Sequence, residues 1–398
     1  MKNRKKRVWA GLLAAALFLC GCAGAGDNGP ISAARRPDTP ASASEEASGA
    51  ESGAPLDAEE AALRELLSSM TLEEKVGQIF LARCPDSGAL ESVRQYQLGG
   101  YVLFARDFEN KTGGMVRETL AAYQAASKIP MLLAADEEGG TVVRISRYKA
   151  FRNEPFGSPQ TVYAAGGMDG VRADTAEKAA MMLSLGLNVN MAPVCDVSTD
   201  PQDFIYARSF GQDAAATSEY VKNVVEVMRE SGIGSVLKHF PGYGSNADTH
   251  TGIAYDHREK AVFESSDLLP FTAGIEAGAD AVLVSHNVVY AYDSEKPASL
   301  SKAVHTLLRD ELGFDGVIMT DDLYMDAIRD YTDASSAAVE AVLAGNDLLC
   351  CTDFTVQIPA VAAAVRDGTI SMEQLESAVL RVLRWKVSLG ILEIAGKD

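Results

Sequence analysis

The chain is short of positive charge: Lys and Arg number 36 against 55 Asp and Glu, a formal −19. A surface that acidic repels phosphate backbones, so nucleic-acid binding is excluded as the working reading. A membrane-spanning stretch is also lacking. The apolar run from Val8 to Leu19 is about a dozen residues long, against the ~20 that a spanning helix needs. The six cysteines show no metal-ligand spacing, so no metal site and no cofactor is expected. Aromatic residues make up only 7%, yet 47% hydrophobic and 23% charged residues exclude both a disordered and a fibrous chain.

What is present begins with an export pattern. Lys2, Arg4, Lys5, Lys6 and Arg7 precede the short apolar run, which stops at Leu19-Cys20-Gly21-Cys22. That stop resembles a bacterial lipobox, so residues 1–22 are expected to be a signal peptide and Cys22 the lipidated N-terminus of the mature protein. Two acyl chains, at about 0.8 kcal/mol per buried CH₂, would anchor the protein to a membrane without a spanning helix. The expected location is therefore extracytoplasmic and lipid-anchored. Residues 23–56, rich in Ala, Gly, Ser, Pro and Glu, bury too little surface to offset their ordering entropy and read as a flexible tether. Cys84, Cys195, Cys350 and Cys351 read as buried thiols rather than disulfides.

Residues 57–398 are expected to form one domain. Thr71-Leu72-Glu73-Glu74 has the form of a helix capping box. Eight strand-like apolar runs follow, at Val76–Leu81, Gly100–Phe104, Met131–Ala135, Leu187–Ala192, Ser235–His239, Ala281–His286, Gly316–Thr320 and Asp347–Cys351. Helical stretches such as Asp174–Leu185 and Ala214–Ser231 separate most of them. Parallel strands need such crossovers, which leaves an α/β (β/α)₈ barrel or a doubly wound sheet. Five runs end in abrupt polar clusters: Asp136-Glu137-Glu138, Asp196, Lys238-His239, Ser285-His286-Asn287 and Asp321-Asp322. A barrel would gather those ends at one mouth, which favours the closed form.

Three constellations carry candidate chemistry. Lys238-His239-Phe240-Pro241-Gly242-Tyr243-Gly244 places two hydrogen-bond donors at a strand end, and Asp248-Thr249-His250 follows. In that Asp-x-His pair a carboxylate can fix the imidazole tautomer for general acid/base work, or merely bond it locally in a loop. Asp321 and Asp322 follow the seventh run; adjacent strand residues point to opposite faces, so one of them should reach the mouth. A carboxylate there serves as nucleophile, metal ligand or helix cap. Asp136 and Arg144 bracket a glycine pair, a carboxylate and a fork donor of the kind that grips sugar hydroxyls.

Together the runs DEEGGTVVR (136–144), RSFG (208–211), KHFPGYG (238–244), DTH (248–250) and TDDLYM (320–325) resemble glycoside hydrolase family 3. The DTH element resembles its bacterial β-N-acetylglucosaminidase branch, and MTLEEKVGQIF (70–80) matches too. The resemblance implies a TIM-type barrel and retaining removal of terminal β-linked N-acetylglucosamine. It implies Asp321 as nucleophile, His250 as acid/base oriented by Asp248, and Asp136, Arg144, Arg208, Lys238 and His239 as sugar-holding residues. The envelope location implies peptidoglycan fragments as substrate, and a monomer is the expected working state. Tyr243 departs from the branch, which most often has His there. The chain ends with the barrel, where many β-glucosidases of the family continue into a second domain that supplies their acid/base. A β-glucosidase or β-xylosidase, an N-acetylglucosaminide phosphorylase and a sugar-binding lipoprotein remain alternatives.

Overall fold

The computed structural model describes residues 58–246, 249 and 252–394. The expected signal peptide, Cys22 and the tether lie outside the described residues, as do Asp248 and His250. The barrel strands are β1 (Phe80–Arg83), β2 (Gly100–Leu103), β3 (Leu132–Ala135), β4 (Val189–Asn190), β5 (Gly234–Phe240), β6 (Ala281–Val284), β7 (Val317–Thr320) and β8 (Leu349–Cys351). They form one parallel sheet running from β7 in descending order to β1 and on to β8. The ring closes between β7 and β8 through the parallel bridge Met319–Leu348 and the Thr320 N–H to Leu348 carbonyl bond of 3.1 Å. The closed (β/α)₈ form is therefore the one adopted.

The strands' two-residue period divides their side chains. Leu81, Val102, Leu132, Ala134, Val189, Val236, Ala281, Leu283, Val317, Met319 and Cys350 pack in one interior cluster. Phe80, Tyr101, Leu133, Leu237, Val282, Ile318 and Leu349 point the other way and pack among residues of the surrounding helices. Val382 and Trp385 of the C-terminal helix Met372–Ser388 join the interior cluster, with Trp385 against Gly234 at the start of β5. That helix therefore closes the barrel at the strands' N-terminal end. Ser371 caps it by accepting the Gln374 N–H at 3.1 Å.

The first apolar run is split otherwise than its composition indicates. Thr71 and Glu74 form the capping box, and the helix it starts runs over Leu72–Gln78, taking in Val76. The strand therefore begins at Phe80 and extends to Arg83, beyond the expected end at Leu81. The expected helix 174–185 is the second half of Pro159–Leu185, broken at Gly167, where φ is 62°. The four cysteines from Cys84 onward are buried free thiols. Among the described residues no helix is long and apolar enough to cross a membrane.

The closing helix contains a buried lysine. Lys386 is fully buried, and its Nζ donates to Gln78 Oε1 at 2.6 Å. Burial drives its amine down to about 7. An unfolded lysine titrates near 10.4, so between these values the unfolded chain binds more protons and stability rises with pH. The stability of the native chain relative to Lys386→Met is expected to climb from pH 7 to pH 10, by at most about 1.4 kcal/mol per pH unit. Denaturant titrations across that range check this; a gap that stays flat contradicts it.

Candidate active site

Continuing each strand's inward parity by two residues beyond the apolar interior gives a ring of different character. Leu81 is followed by Arg83, Val102 by Phe104, Ala134 by Asp136, Val236 by Lys238 and Met319 by Asp321. These five residues line one cleft of about 400 Å³ at the C-terminal mouth of the barrel. Arg144, Arg208, His239 and Asp322 line it too, and Met191, Leu283 and Cys350 contribute apolar walls. Six of the expected site residues, Asp136, Arg144, Arg208, Lys238, His239 and Asp321, are thus brought together from positions up to 185 residues apart in sequence. Asp248 and His250 lie outside the described residues.

An ion network fills one side of the cleft. Lys238 Nζ lies 2.6 Å from both Asp136 Oδ1 and Glu138 Oε1. Arg208 makes a two-pronged contact with Glu138, 2.8 Å from Oε1 and 3.0 Å from Oε2. Arg144 Nη2 reaches Asp136 Oδ2 at 3.2 Å. Such burial is costly for single ions and is tolerated because opposite charges meet at hydrogen-bond distance. Burial pushes the Asp136 carboxyl up, but Lys238 and Arg144 more than reverse it and hold the group below the ordinary carboxylate range. Glu138 is held well below that range in the same way, by Arg208 and Lys238. Burial lowers the Lys238 amine, whereas Asp136 and Glu138 raise it above the usual lysine value. All of these groups are charged near neutral pH.

Three neighbouring carboxylates therefore take three positions. Asp136 faces the cleft and Glu138 holds Arg208 and Lys238. Glu137 turns into the following hairpin, where it accepts the N–H groups of Arg144, Ile145 and Ser146 and the Ser146 hydroxyl. Gly139 makes this turn possible: its φ is +101°, and a Cβ there would sit 2.2 Å from the Gly157 carbonyl oxygen.

His239 is oriented from behind. Its Nδ1 lies 2.7 Å from Asp196 Oδ2, and its Nε2 lies 3.0 Å from Arg208 Nη2. Since the guanidinium can only donate, Nε2 accepts and Nδ1–H donates to Asp196, which fixes the tautomer. Asp196 Oδ1 also accepts the Tyr243 N–H at 2.7 Å. The intervening Gly242 has φ +122°. Tyr243 itself is buried edge-on to the His239 ring, with centroids 5.2 Å apart, and its hydroxyl bonds to Thr249. The position that departs from the expected pattern thus joins the His239 support to the Asp-x-His segment.

Asp321 N–H donates to the Val284 carbonyl at 3.1 Å, which ties the end of β7 to β6, and its Oδ1 accepts the Asp322 N–H at 2.8 Å. The Asp322 carboxylate accepts the Thr352 hydroxyl at 2.6 Å and the Thr352 and Tyr324 N–H groups at 3.0 Å each. Asp322 is therefore engaged in joining β7 to the segment after β8. Burial pushes its carboxyl up, against the opposing bond from Thr352.

The site also includes residues that the expected set omits. Glu138 and Asp196 sit in recognised strand-end clusters, but their partners lie 70 and 43 positions away, a distance that no local pattern encodes. Arg83 falls past the expected end of its strand. Among the described residues no cluster of His, Cys, Asp and Glu has a geometry that would hold a metal ion.

The chain matches the N-terminal domain of glycosyl hydrolase family 3 over residues 71–385. It is 31% identical to beta-hexosaminidase A of Pseudoalteromonas piscicida over 331 residues, 75% of this chain and 55% of that protein. It is 37% identical to a beta-hexosaminidase of Xanthomonas campestris pv. campestris over 234 residues, 58% of this chain and 70% of that one. Among solved structures, the family 3 β-N-acetylglucosaminidase from Paenibacillus sp. str. FPU-7 superposes with a TM-score of 0.76 at 29% identity, covering 83% of this chain and 66% of that one. The chain thus spans little more than half of the first of these relatives.

The buried network yields a stability expectation. Glu138→Ala leaves Lys238 and Arg208 without their shared carboxylate and should cost about 3–5 kcal/mol in denaturant unfolding. Glu91→Ala, on an exposed helix, should change stability by less than about 0.5 kcal/mol. The folded Glu138 carboxyl is depressed, so its contribution is complete above the unfolded value near 4.3 and fades as pH falls below it. Equal losses in the two variants would contradict the network's role.

Proposed function

Because the chain belongs to glycosyl hydrolase family 3, we propose that it is a retaining exo-glycosidase that removes terminal non-reducing β-N-acetylglucosamine, in the manner of the bacterial β-N-acetylglucosaminidase branch. The observation that carries this reading is the convergence of Asp321 with Asp136, Arg144, Arg208, Lys238 and His239 on one cleft. The names of the relatives agree with a hexosaminidase.

In this reading the terminal sugar enters the cleft with its hydroxyls against Asp136, Arg144, Arg208, Lys238 and His239. The network keeps Asp136 and Lys238 ionised, and its hydrogen bonds fix the whole set in position, so these residues hold the sugar without reorganising. Asp321 then attacks the anomeric carbon. A bond forms from its carboxylate oxygen as the bond to the leaving oxygen breaks, and His250, oriented by Asp248, gives that oxygen a proton. Neutral His250 next takes a proton from water, which displaces Asp321 and releases the sugar with its configuration retained. Asp322, already bonded to Thr352 and Tyr324, is assigned a supporting part. We further propose that Cys22 carries the lipid anchor, that the barrel works outside the cytoplasm at a membrane as a monomer, and that peptidoglycan fragments are its natural substrate.

An aryl N-acetylglucosaminide, an aryl glucoside and an aryl xyloside test the reaction. The first should be cleaved far faster than the other two. Asp321→Ala should abolish turnover, His250→Ala should lose about 10²–10⁴-fold on substrates that need protonation, and Asp322→Ala should retain activity. Loss confined to the Asp322 variant would contradict the assignment. Release of a sugar phosphate in place of the free sugar when inorganic phosphate is added would identify a phosphorylase instead.

A further inference from the structure

Arg83 ends β1 with the same inward parity as Phe104, Asp136, Lys238 and Asp321, and it lines the same cleft. Its guanidinium carbon stands 4.4 Å from the centroid of the Phe104 ring, and that of Arg144 stands 5.2 Å from the same ring. One aromatic side chain thus carries two cations. They differ in what balances them. Arg144 is paired with Asp136 at 3.2 Å. Among the described residues no carboxylate lies within ion-pair distance of Arg83, and its buried Nε takes no hydrogen bond. Asp107 feels its charge, but the Asp107 carboxylate already accepts the Phe104 N–H at 2.7 Å. In a chain with 55 acidic residues against 36 basic ones, a half-buried arginine at the mouth with no ion-pair partner among the described residues stands out.

We propose that Arg83 is the subsite for an oxyanion, a carboxylate or phosphate, brought by the group on the far side of the scissile bond or arriving as a free ion. This rests on the reading above in one respect: a terminal N-acetylglucosamine is neutral, so it has no charge to offer Arg83. The topology agrees. In the closed ring β1 stands across the barrel from β5, which carries Lys238 and His239, so a ligand group that reaches Arg83 is distinct from the part those residues hold. A planar guanidinium steadied on an aromatic face presents its N–H edge as a fork, the geometry that a carboxylate or phosphate accepts in two prongs.

The test uses a disaccharide with N-acetylglucosamine β-linked to a sugar that bears a carboxylate, and the methyl ester of the same disaccharide, with a neutral aryl N-acetylglucosaminide as reference. Arg83→Met keeps the apolar stem on Phe104 and removes the fork. The variant should lose about tenfold or more in kcat/KM on the acid, with the ester and the aryl glycoside almost unchanged. Inorganic phosphate should inhibit cleavage of the acid by the native protein more than by the variant. If only phosphate shows the Arg83 dependence, the free ion is the occupant; if both do, the subsite takes either source. Binding of acid and ester to Asp321→Ala protein, with and without Arg83→Met, reads the subsite whether or not turnover occurs. A tighter acid that depends on Arg83 supports the subsite even if none of the substrates is cleaved, an outcome that would defeat the glycosidase reading alone. Equal losses on all three substrates would assign Arg83 to the neutral sugar, and no loss on any, with acid and ester bound alike, would make it structural. Either result overturns the proposal.

Discussion

A lysine ammonium group enclosed in the mouth of the barrel sets the terms for everything around it. Lys238 is almost fully buried, and such a charge persists only where carboxylates meet it at hydrogen-bond distance. Asp136 and Glu138 do so at 2.6 Å, but two carboxylates on one ammonium leave excess negative charge, and Arg144 and Arg208 absorb it. Arg208 in turn meets the Nε2 of His239, whose other nitrogen is held by Asp196. Each group is in place because the next one requires it. The result is a rigid polar wall with every charge fixed, which is what a site needs if it is to hold a hydroxylated ligand without first reorganising itself.

The wall faces Asp321 because of a period of two. Each strand alternates its side chains between the barrel interior and the helices, and every inward row that ends in the cleft starts in the apolar interior, as Met319 precedes Asp321 and Val236 precedes Lys238. Alternation alone does not separate the two adjacent aspartates after β7, since both border the cleft where only one is expected to; their hydrogen bonds distinguish them. Asp321 continues the inward row, and Asp322 turns to Thr352 and Tyr324. Packing at the closed end of the barrel and chemistry at its mouth are consequences of one register. A shift of one residue in any strand would exchange them.

Much of this was legible before any coordinates. Eight apolar runs with helical crossovers and polar C-terminal ends indicate a barrel, and Asp136, Lys238, His239 and Asp321 stand out as abrupt polar residues at the ends of those runs. What was not legible is instructive in physical terms. Asp136, Glu137 and Glu138 look alike in sequence, and only the hairpin turn at Gly139 decides that the first faces the cleft, the second the hairpin and the third the network. The hold of Asp196 on His239 spans 43 positions and follows from the fold alone. Arg83 was missed for a local reason: the capped helix runs on through Gln78, so the strand starts and ends later than its apolar composition indicates. The positions of Asp248 and His250 rest on sequence resemblance.

The central claim is that the aspartate at the end of β7, and not its neighbour, forms the bond to the sugar. Incubating the full-length protein with a fluorinated N-acetylglucosaminyl fluoride, which forms a glycosyl-enzyme faster than water clears it, and mapping the adduct by peptide mass spectrometry tests this most directly. The account expects one sugar per chain, attached to Asp321. Attachment to Asp322 or to any other residue, or continued turnover with no adduct at all, would contradict it.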